Sequence, residues 1–274
     1  MYTEYQPSHF LVPYIDSYWE FKGNPDYGMR IHILPDGCTD FIFTLGEVAN
    51  AVEEGSLIMQ PYRSYFVGPM TKYSELVTYT ESIHMFGVRF LPCGLSCFTN
   101  LPLHEFVNSR VSTNEMKAVF DDTFIEKLGE QKHVTDRIRV VEEYLLAYLA
   151  RHYQPADSHV AMAVNMINHS KGKRSVRSLM DDVCLCQRHF ERKFKHYTGF
   201  TPKEYSRIVK FKNAVELLRT TTSANLLTTA VDAGYYDLAH FSKEIKSMSG
   251  NTPASFLSLT VPEETTLTYI EPQR

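Results

Sequence analysis

The chain has 274 residues, 43% of them hydrophobic and 22% charged, with a formal net charge of −4. That length is about twice a usual domain, so two domains are expected, and the composition excludes a disordered chain, a collagen-like fibre or a stapled mini-protein. No apolar run reaches the ~18 residues that cross a bilayer, the first residues lack a basic stretch followed by an apolar one, and five cysteines give no disulfide framework. The expectation is a reduced, cytoplasmic protein that does not enter a membrane.

Charge is unevenly shared. Residues 1–155 carry 12 Lys and Arg against 20 Asp and Glu, whereas residues 156–260 carry 15 against 9. An acidic front half and a basic back half suit different partners, with a polyanion as the candidate for the back.

Residues 1–100 read as β-rich. Arg30–Leu34 and Phe41–Leu45 flank a turn at Pro35-Asp36-Gly37, and further short runs occupy Ser64–Val67, Leu76–Thr80 and Ile83–Phe90. No long helices alternate with them, so a barrel or sandwich is expected rather than a parallel α/β sheet. From about residue 93 the period changes. Met116, Val119, Phe120, Phe124 and Leu128 fall on one helical face, as do Val134, Ile138, Val141, Leu145 and Leu149. The second of these faces either packs on its own domain or pairs with its twin in a homodimer.

Tyr153 to Ser158 breaks the pattern and marks the domain boundary. Beyond it the chain reads as helical. Val160, Ala163, Val164 and Ile167 share a face, and a basic loop Lys171-Gly172-Lys173-Arg174 follows. Ser175 caps a helix over 176–183, a longer helix runs from Pro202 to about Arg219, and Asn225 caps another that ends at Gly234. The tail Thr265–Ile270 has β character. It either returns to the first domain as a strand or stays loose.

A shift of 51 residues superposes two stretches of this half. His189 meets His240, Phe190 meets Phe241, Lys195 meets Lys246, and Gly199, Thr201 and Pro202 meet Gly250, Thr252 and Pro253. Arg192 and Lys243, Phe194 and Ile245, Thr198 and Ser249, and Tyr205 and Phe256 are conservative matches. Each copy has a short helix, a turn, a second helix with basic residues one turn apart, and a Gly-x-Thr-Pro stop, which is a helix–turn–helix unit. Such a unit offers the first turns of its second helix to base edges in the major groove. In the first copy, Gln187, Arg188, Glu191, Arg192 and Lys195 project outward while Phe190 and Phe194 face the core. In the second, Asp237 caps the helix, Leu238, Ala239, Lys243 and Lys246 project outward, and Phe241 and Ile245 turn in. Lys171 and Lys173 are placed for phosphate contact.

Asp232-Ala233-Gly234-Tyr235-Tyr236-Asp237-Leu238-Ala239-His240-Phe241, with Lys246, Gly250, Thr252, Pro253 and Phe256, resembles the signature of the AraC/XylS family of bacterial transcription regulators. The resemblance covers about residues 159–257. It implies two units set into successive major-groove turns of double-stranded DNA, with base reading at Arg188, Glu191 and Arg192 and at Leu238, Ala239 and Lys243. It also implies RNA polymerase as a partner. Met180, Cys184, Cys186, Lys210 and Thr229 depart from the family pattern. Cys186 stands where a Ser cap is usual, at a cost of about 1 kcal/mol. Leu238 and Ala239 can offer only apolar contact, so less base reading is expected from the second unit. In the front half, Leu34-Pro35-Asp36-Gly37, Gly68-Pro69 and Gly87–Pro92 resemble an N-terminal domain from one branch of these regulators, often of unassigned function. In the wider family this domain senses a small molecule, dimerises, or does both.

The expected fold is α+β in two domains. Residues 1–154 form a β-rich, barrel-like (cupin-like) sensing or dimerising domain with helices at its end. Residues 155–258 form an all-α AraC-type domain with units at about 175–197 and 225–248 joined by helix 202–219, and 259–274 form a polar tail. Trp19, Arg30, His32 and Arg89 are the candidate anchors of an effector pocket. No phosphate loop, nucleophile elbow or carboxylate pair is present, so neither catalysis nor a cofactor is expected. No metal site is expected either. His32, His84 and His104 are isolated, Cys93 and Cys97 lack companions, and Cys184 and Cys186 read as small turn residues, with a thiol switch as the sharper reading. Two other functions stay open: a regulator controlled by dimerisation or a protein antagonist without a ligand, and a barrel-fold binding protein or enzyme whose helical domain makes protein contacts.

Overall fold

A computed structural model describes residues 2–52, 55–116, 119–120, 122–152, 154–220, 226–257 and 268–270. Nine strands come first: β1 (Tyr2–Tyr5), β2 (Ile15–Gly23), β3 (Arg30–Ile33), β4 (Thr39–Thr44), β5 (Ala49–Ala51), β6 (Ser64–Val67), β7 (Ser74–Thr78), β8 (Ile83–Phe90) and β9 (Arg110–Ser112). Helices α1 (Asp122–Gly129) and α2 (Val134–His152) follow. Next come α3 (Ser158–His169), α4 (Val176–Val183), α5 (Gln187–Thr198), α6 (Pro202–Thr220), α7 (Leu226–Asp232), α8 (Leu238–Ser249) and α9 (Pro253–Leu257), and then β10 (Thr268–Ile270). Among the described residues no helix is long and apolar enough to cross a membrane.

The strands pair antiparallel into two sheets, β1-β2-β8-β4-β6-β9 and β10-β3-β7-β5. The tail thus returns to the front domain, with Tyr269 opposite His32. In the six-stranded sheet both faces are buried. On one face, Trp19, Phe21, Ile42, Tyr65, Val67 and Met85 meet Ile31, Ala49 and Leu76 of the smaller sheet. On the other, Tyr18, Phe41, Phe43, Phe86, Val88 and Phe90 meet Phe120, Phe124, Val141 and Leu145. Alternate residues of one strand therefore serve different cores, which is why β4 and β8 read as continuous apolar runs. Trp19 lies flat on β8 at Gly87, where an added Cβ would come within 1.9 Å of the indole.

The helical periodicity expected from Met116 onward starts too early. Thr113–Glu115 forms a short 3₁₀ turn, Met116 is extended, and α1 begins only at Asp122. Val119 and Phe120 are buried all the same, with the Phe120 ring 5.1 Å from that of Phe41 and 5.3 Å from that of Phe43. The period reported burial there, and the backbone takes another form. The apolar face of α2 is spent on this same core, with Val141 and Leu145 fully buried, so it packs on its own domain.

A buried ion cluster fastens α2 to the sheet. Arg137 Nη1 lies 2.8 Å from Glu20 Oε1, its other nitrogens donate to the carbonyls of Leu128 and Gln131, and His84 Nε2 is 3.0 Å from Glu20. Burial alone would raise the Glu20 carboxyl, but His84 and Arg137 outweigh it and hold the group below its usual value. A carboxyl lowered in the folded state contributes stability that is present above its unfolded pKa and lost as pH falls through the folded one. Glu20→Gln should cost about 3 kcal/mol in urea denaturation at pH 7, because Arg137 is left buried without its counter-charge. The same variant should lose part of the wild type's decline in stability below the ordinary carboxylate range.

Candidate nucleic-acid interface

The second half is built around α6, which is capped by reciprocal hydrogen bonds. Glu204 N donates to Thr201 Oγ1 at 3.1 Å, and Thr201 N donates to Glu204 Oε2 at 2.7 Å, with Pro202 in the first turn. Tyr205, Ile208, Phe211, Val215 and Leu218 are buried around it. The two helix–turn–helix units pack against this helix, their cores supplied by Leu179, Phe190 and Phe194 in one and by Ala230, Phe241 and Ile245 in the other.

The 51-residue repeat is a repeat of hydrogen bonds. Thr198 Oγ1 donates to Phe194 O at 2.7 Å and accepts from Phe200 N, while Ser249 Oγ donates to Ile245 O at 2.7 Å and accepts from Asn251 N. Gly199 (φ 83°) and Gly250 (φ 75°) end α5 and α8 in the left-handed conformation that glycine adopts without strain. The units differ at their turns. In the first, Cys184 takes the left-handed position (φ 54°), two residues before the cap, and in the second Gly234 (φ 86°) does so three residues before it. Asp237 caps α8 by accepting from His240 N at 2.7 Å, whereas Cys186 makes no side-chain cap to α5. Asn225, the expected cap of α7, lies outside the described residues.

The outward residues stand where helical spacing puts them. Gln187, Arg188, Arg192 and Lys195 on α5 and Leu238, Ala239, Lys243 and Lys246 on α8 are exposed, and Glu191 is half-buried, accepting from Gln187 Nε2 at 2.9 Å. Lys171 and Lys173 are exposed in the loop before α4. Sequence reasoning missed a cleft between the two units. It is lined by Lys173, Arg174, Lys203, Arg207, Lys210, Tyr235 and Glu244, with a volume of about 550 Å³. Arg207 pairs with Glu244 at 2.6 Å and so ties α6 to α8, and Arg174 pairs with Asp182. Lys210 lies 5.5 Å above the Tyr235 ring and is held below its usual pKa by burial and by Lys173. Their spacing in sequence hides this convergence, since 173, 203 and 235 belong to three different elements. Tyr236, 92% exposed beside the start of α8, was also overlooked.

The expected effector anchors do not form one group. Arg89, 4% exposed, is surrounded by Glu4, Asp36 and Asp40 at 3.2, 3.4 and 3.3 Å. Burial in that cluster drives the Asp40 carboxyl above its usual range, although Arg89 opposes the shift. Trp19 Nε1 donates to Asp40 at 2.6 Å, and both Trp19 and Arg89 line an apolar cavity of about 50 Å³ between the sheets. His32 stacks on Tyr73 outside it, and Arg30 pairs with Glu75 at the surface. A larger groove of about 370 Å³ adjoins the cavity and shares Val67, Met70 and Arg110 with it. His84 and His104 lie elsewhere, the first on Glu20 and the second facing His196 at 6.4 Å between ring centroids. Among the described residues no group of three His, Cys, Asp or Glu is placed to hold a metal ion. Cys93 and Cys97 are buried free thiols, and Cys184 and Cys186 are exposed free thiols.

Residues 179–258 match the family model of a helix–turn–helix domain, and residues 3–112 match a domain of unknown function (DUF6597). No curated protein sequence matches the chain. Among solved structures, ToxT from Vibrio cholerae is similar at 9% identity and a TM-score of 0.52, over 88% of this chain and 98% of that one. ToxT from Vibrio cholerae O395 bound to (E)-4-(8-methylnaphthalen-1-yl)but-3-enoic acid is similar at 10% identity and a TM-score of 0.50, again over 88% and 98%. At such identities the likeness is one of fold: an antiparallel sheet-rich domain followed by a helical one.

The missing cap gives a direct check on the local physics. Cys186→Ser should stabilise the chain by about 1 kcal/mol by supplying an oxygen to the first-turn N–H groups of α5, read as a higher urea midpoint at unchanged slope.

Proposed function

We propose, for a chain whose C-terminal domain is a helix–turn–helix domain of the AraC/XylS type, that the protein is a sequence-specific regulator of transcription bound to double-stranded DNA. The observation that carries the reading is the pair of exposed, basic second helices, α5 and α8, in units that repeat at the level of individual hydrogen bonds. Each presents its first turns outward, as a helix entering the major groove must. In this reading Arg188, Glu191 and Arg192 meet base edges from α5, Gln187 and Lys195 support them, and Leu238, Ala239, Lys243 and Lys246 serve the next turn of the major groove from α8. Lys171, Lys173 and the cations of the cleft between the units take phosphates.

The regulator divides into a front domain over 1–154 and a DNA-binding domain over 155–258. The front domain takes a small effector, with the inter-sheet cavity at Trp19 and Arg89 and the groove beside it as the site. His32 reaches its rim by stacking on Tyr73, while Arg30, paired with Glu75, stands apart from it. Homodimerisation uses a surface other than the apolar face of α2, which the core occupies. RNA polymerase is the partner through which the bound regulator acts, in the cytoplasm.

Two substitutions separate base reading from phosphate contact. Arg192→Ala should cost ~1–3 kcal/mol at the preferred site and relax specificity at one position. Equal loss on random duplexes would make Arg192 a phosphate contact. Lys171→Ala should weaken all sequences alike and flatten the slope of log affinity against log salt by about 1. An unchanged slope would remove that loop from the interface.

A further inference from the structure

The two glycines that end the recognition helices are equivalent in the repeat, and one loop of the front domain meets both. A Cβ added to Gly199 would lie 2.5 Å from Pro69 Cγ and 3.2 Å from Leu103 O. A Cβ added to Gly250 would lie 2.7 Å from Tyr73 Cζ and 3.0 Å from its Oη. Pro69 and Tyr73 thus rest directly on the backbone at the ends of α5 and α8. Four residues of chain cannot span more than ~14 Å, so the β6–β7 loop acts as a short bar between the two contacts.

The bar is held from behind. Asn108 N donates to Pro69 O at 2.9 Å, Thr71 N donates to Asn108 Oδ1 at 2.8 Å, and Asn108 Nδ2 donates to Thr71 Oγ1 at 2.8 Å. Asn108 reaches these partners from a left-handed backbone (φ 57°), which asparagine tolerates better than most residues. Gly68 N donates to Ser109 O, and the His32 ring stacks on Tyr73 at 5.6 Å with the planes 5° apart.

We infer that the loop over residues 68–73 sets the relative placement of the two recognition helices, with Pro69 and Tyr73 as positioning residues, and so selects the separation of DNA boxes that the protein accepts. The inference rests on the DNA-binding reading above. Each recognition helix has 12 residues, or ~18 Å, and is held at the end remote from its first turns. A change at the glycine is therefore carried to the reading end. Moving one box by a single base pair asks for ~3.4 Å of travel and ~34° of rotation about the duplex axis. Packed contacts of this kind do not yield that far without separating.

The test uses the full chain and duplexes with two boxes at the preferred separation, at one base pair more or less, and with one box only. Tyr73→Ala should reduce discrimination between separations at least threefold, each two-box affinity being taken relative to that variant's own single-box affinity. Tyr73→Phe, which keeps the ring on Gly250, should retain the wild-type ratio. Tyr73→Leu carries the same test should the alanine variant not fold. A parallel loss or gain on every duplex, or an unchanged ratio, overturns the inference. Pulsed electron resonance between nitroxides at Arg188→Cys and Lys243→Cys, in a Cys184→Ser/Cys186→Ser background, reads the placement without DNA. One narrow distance that broadens in Tyr73→Ala supports the inference, and an equally narrow distance refutes it. Broadening in the labelled protein, together with no two-box binding by the unlabelled wild-type chain, would uphold the gauge while sinking the DNA reading.

Discussion

The two helix–turn–helix units are hung on α6, and the front domain meets that helix at the turn over residues 34–38 and at Cys93. Gly37 (φ 86°) brings its backbone so close to Tyr205 that a Cβ would come within 2.7 Å of the ring. Leu34, just before it, joins the core that holds Phe194, Tyr205 and Phe211, as does Cys93 from the far end of β8. Asp36 holds the turn by accepting from Cys38 N at 2.8 Å, and its carbonyl accepts from Lys212 Nζ at 3.3 Å. Only glycine meets both demands at position 37, a left-handed backbone and no side chain. The two domains therefore share a core at this point, and Arg89, pinned by Asp36 and Asp40, joins the turn to the middle of the large sheet.

That connection gives meaning to the second contact, at the ends of α5 and α8. Each unit packs its own core on α6, Phe190 and Phe194 on one side and Phe241 and Ile245 on the other, and the Arg207–Glu244 pair adds a partly exposed tie between α6 and α8. The β6–β7 loop adds a restraint at each unit, and the same loop forms a wall of the groove beside the inter-sheet cavity through Met70, Lys72 and Tyr73. The groove and the C-terminal ends of α5 and α8 are thus neighbours of one short segment. Packed arrangements of this kind switch between discrete states more readily than they deform smoothly.

The helical half was legible in the sequence because its information is local. Gly-x-Thr-Pro encodes a left-handed stop, a capping hydroxyl and a first-turn proline within four residues, and the repeat prints it twice. The front half hid more. β2 is not among the runs expected as strands; it carries Asp16, Ser17 and Glu20, yet Ser17 is buried and Glu20 is consumed by Arg137 and His84. Strands buried on both faces lose the alternation that marks a strand. Val119 and Phe120 are the core residues that the helical period indicates, yet Met116 is extended and α1 begins only at Asp122. The contacts of Gly37 with Tyr205 and of Tyr73 with Gly250 join positions more than 150 residues apart, and nothing in local pattern reports such a meeting. For the same reason the basic cleft went unseen while the basic faces of the single helices were plain.

The central claim is that two units read DNA together in a fixed register. The most direct measurement is selection of bound duplexes from a random pool by the full chain, followed by affinity against salt for the enriched sequences. The account predicts an enriched motif of two boxes about one helical turn apart, 10–10.5 base pairs between centres, with discrimination that persists as salt rises. Unselective binding that disappears with modest salt would contradict it.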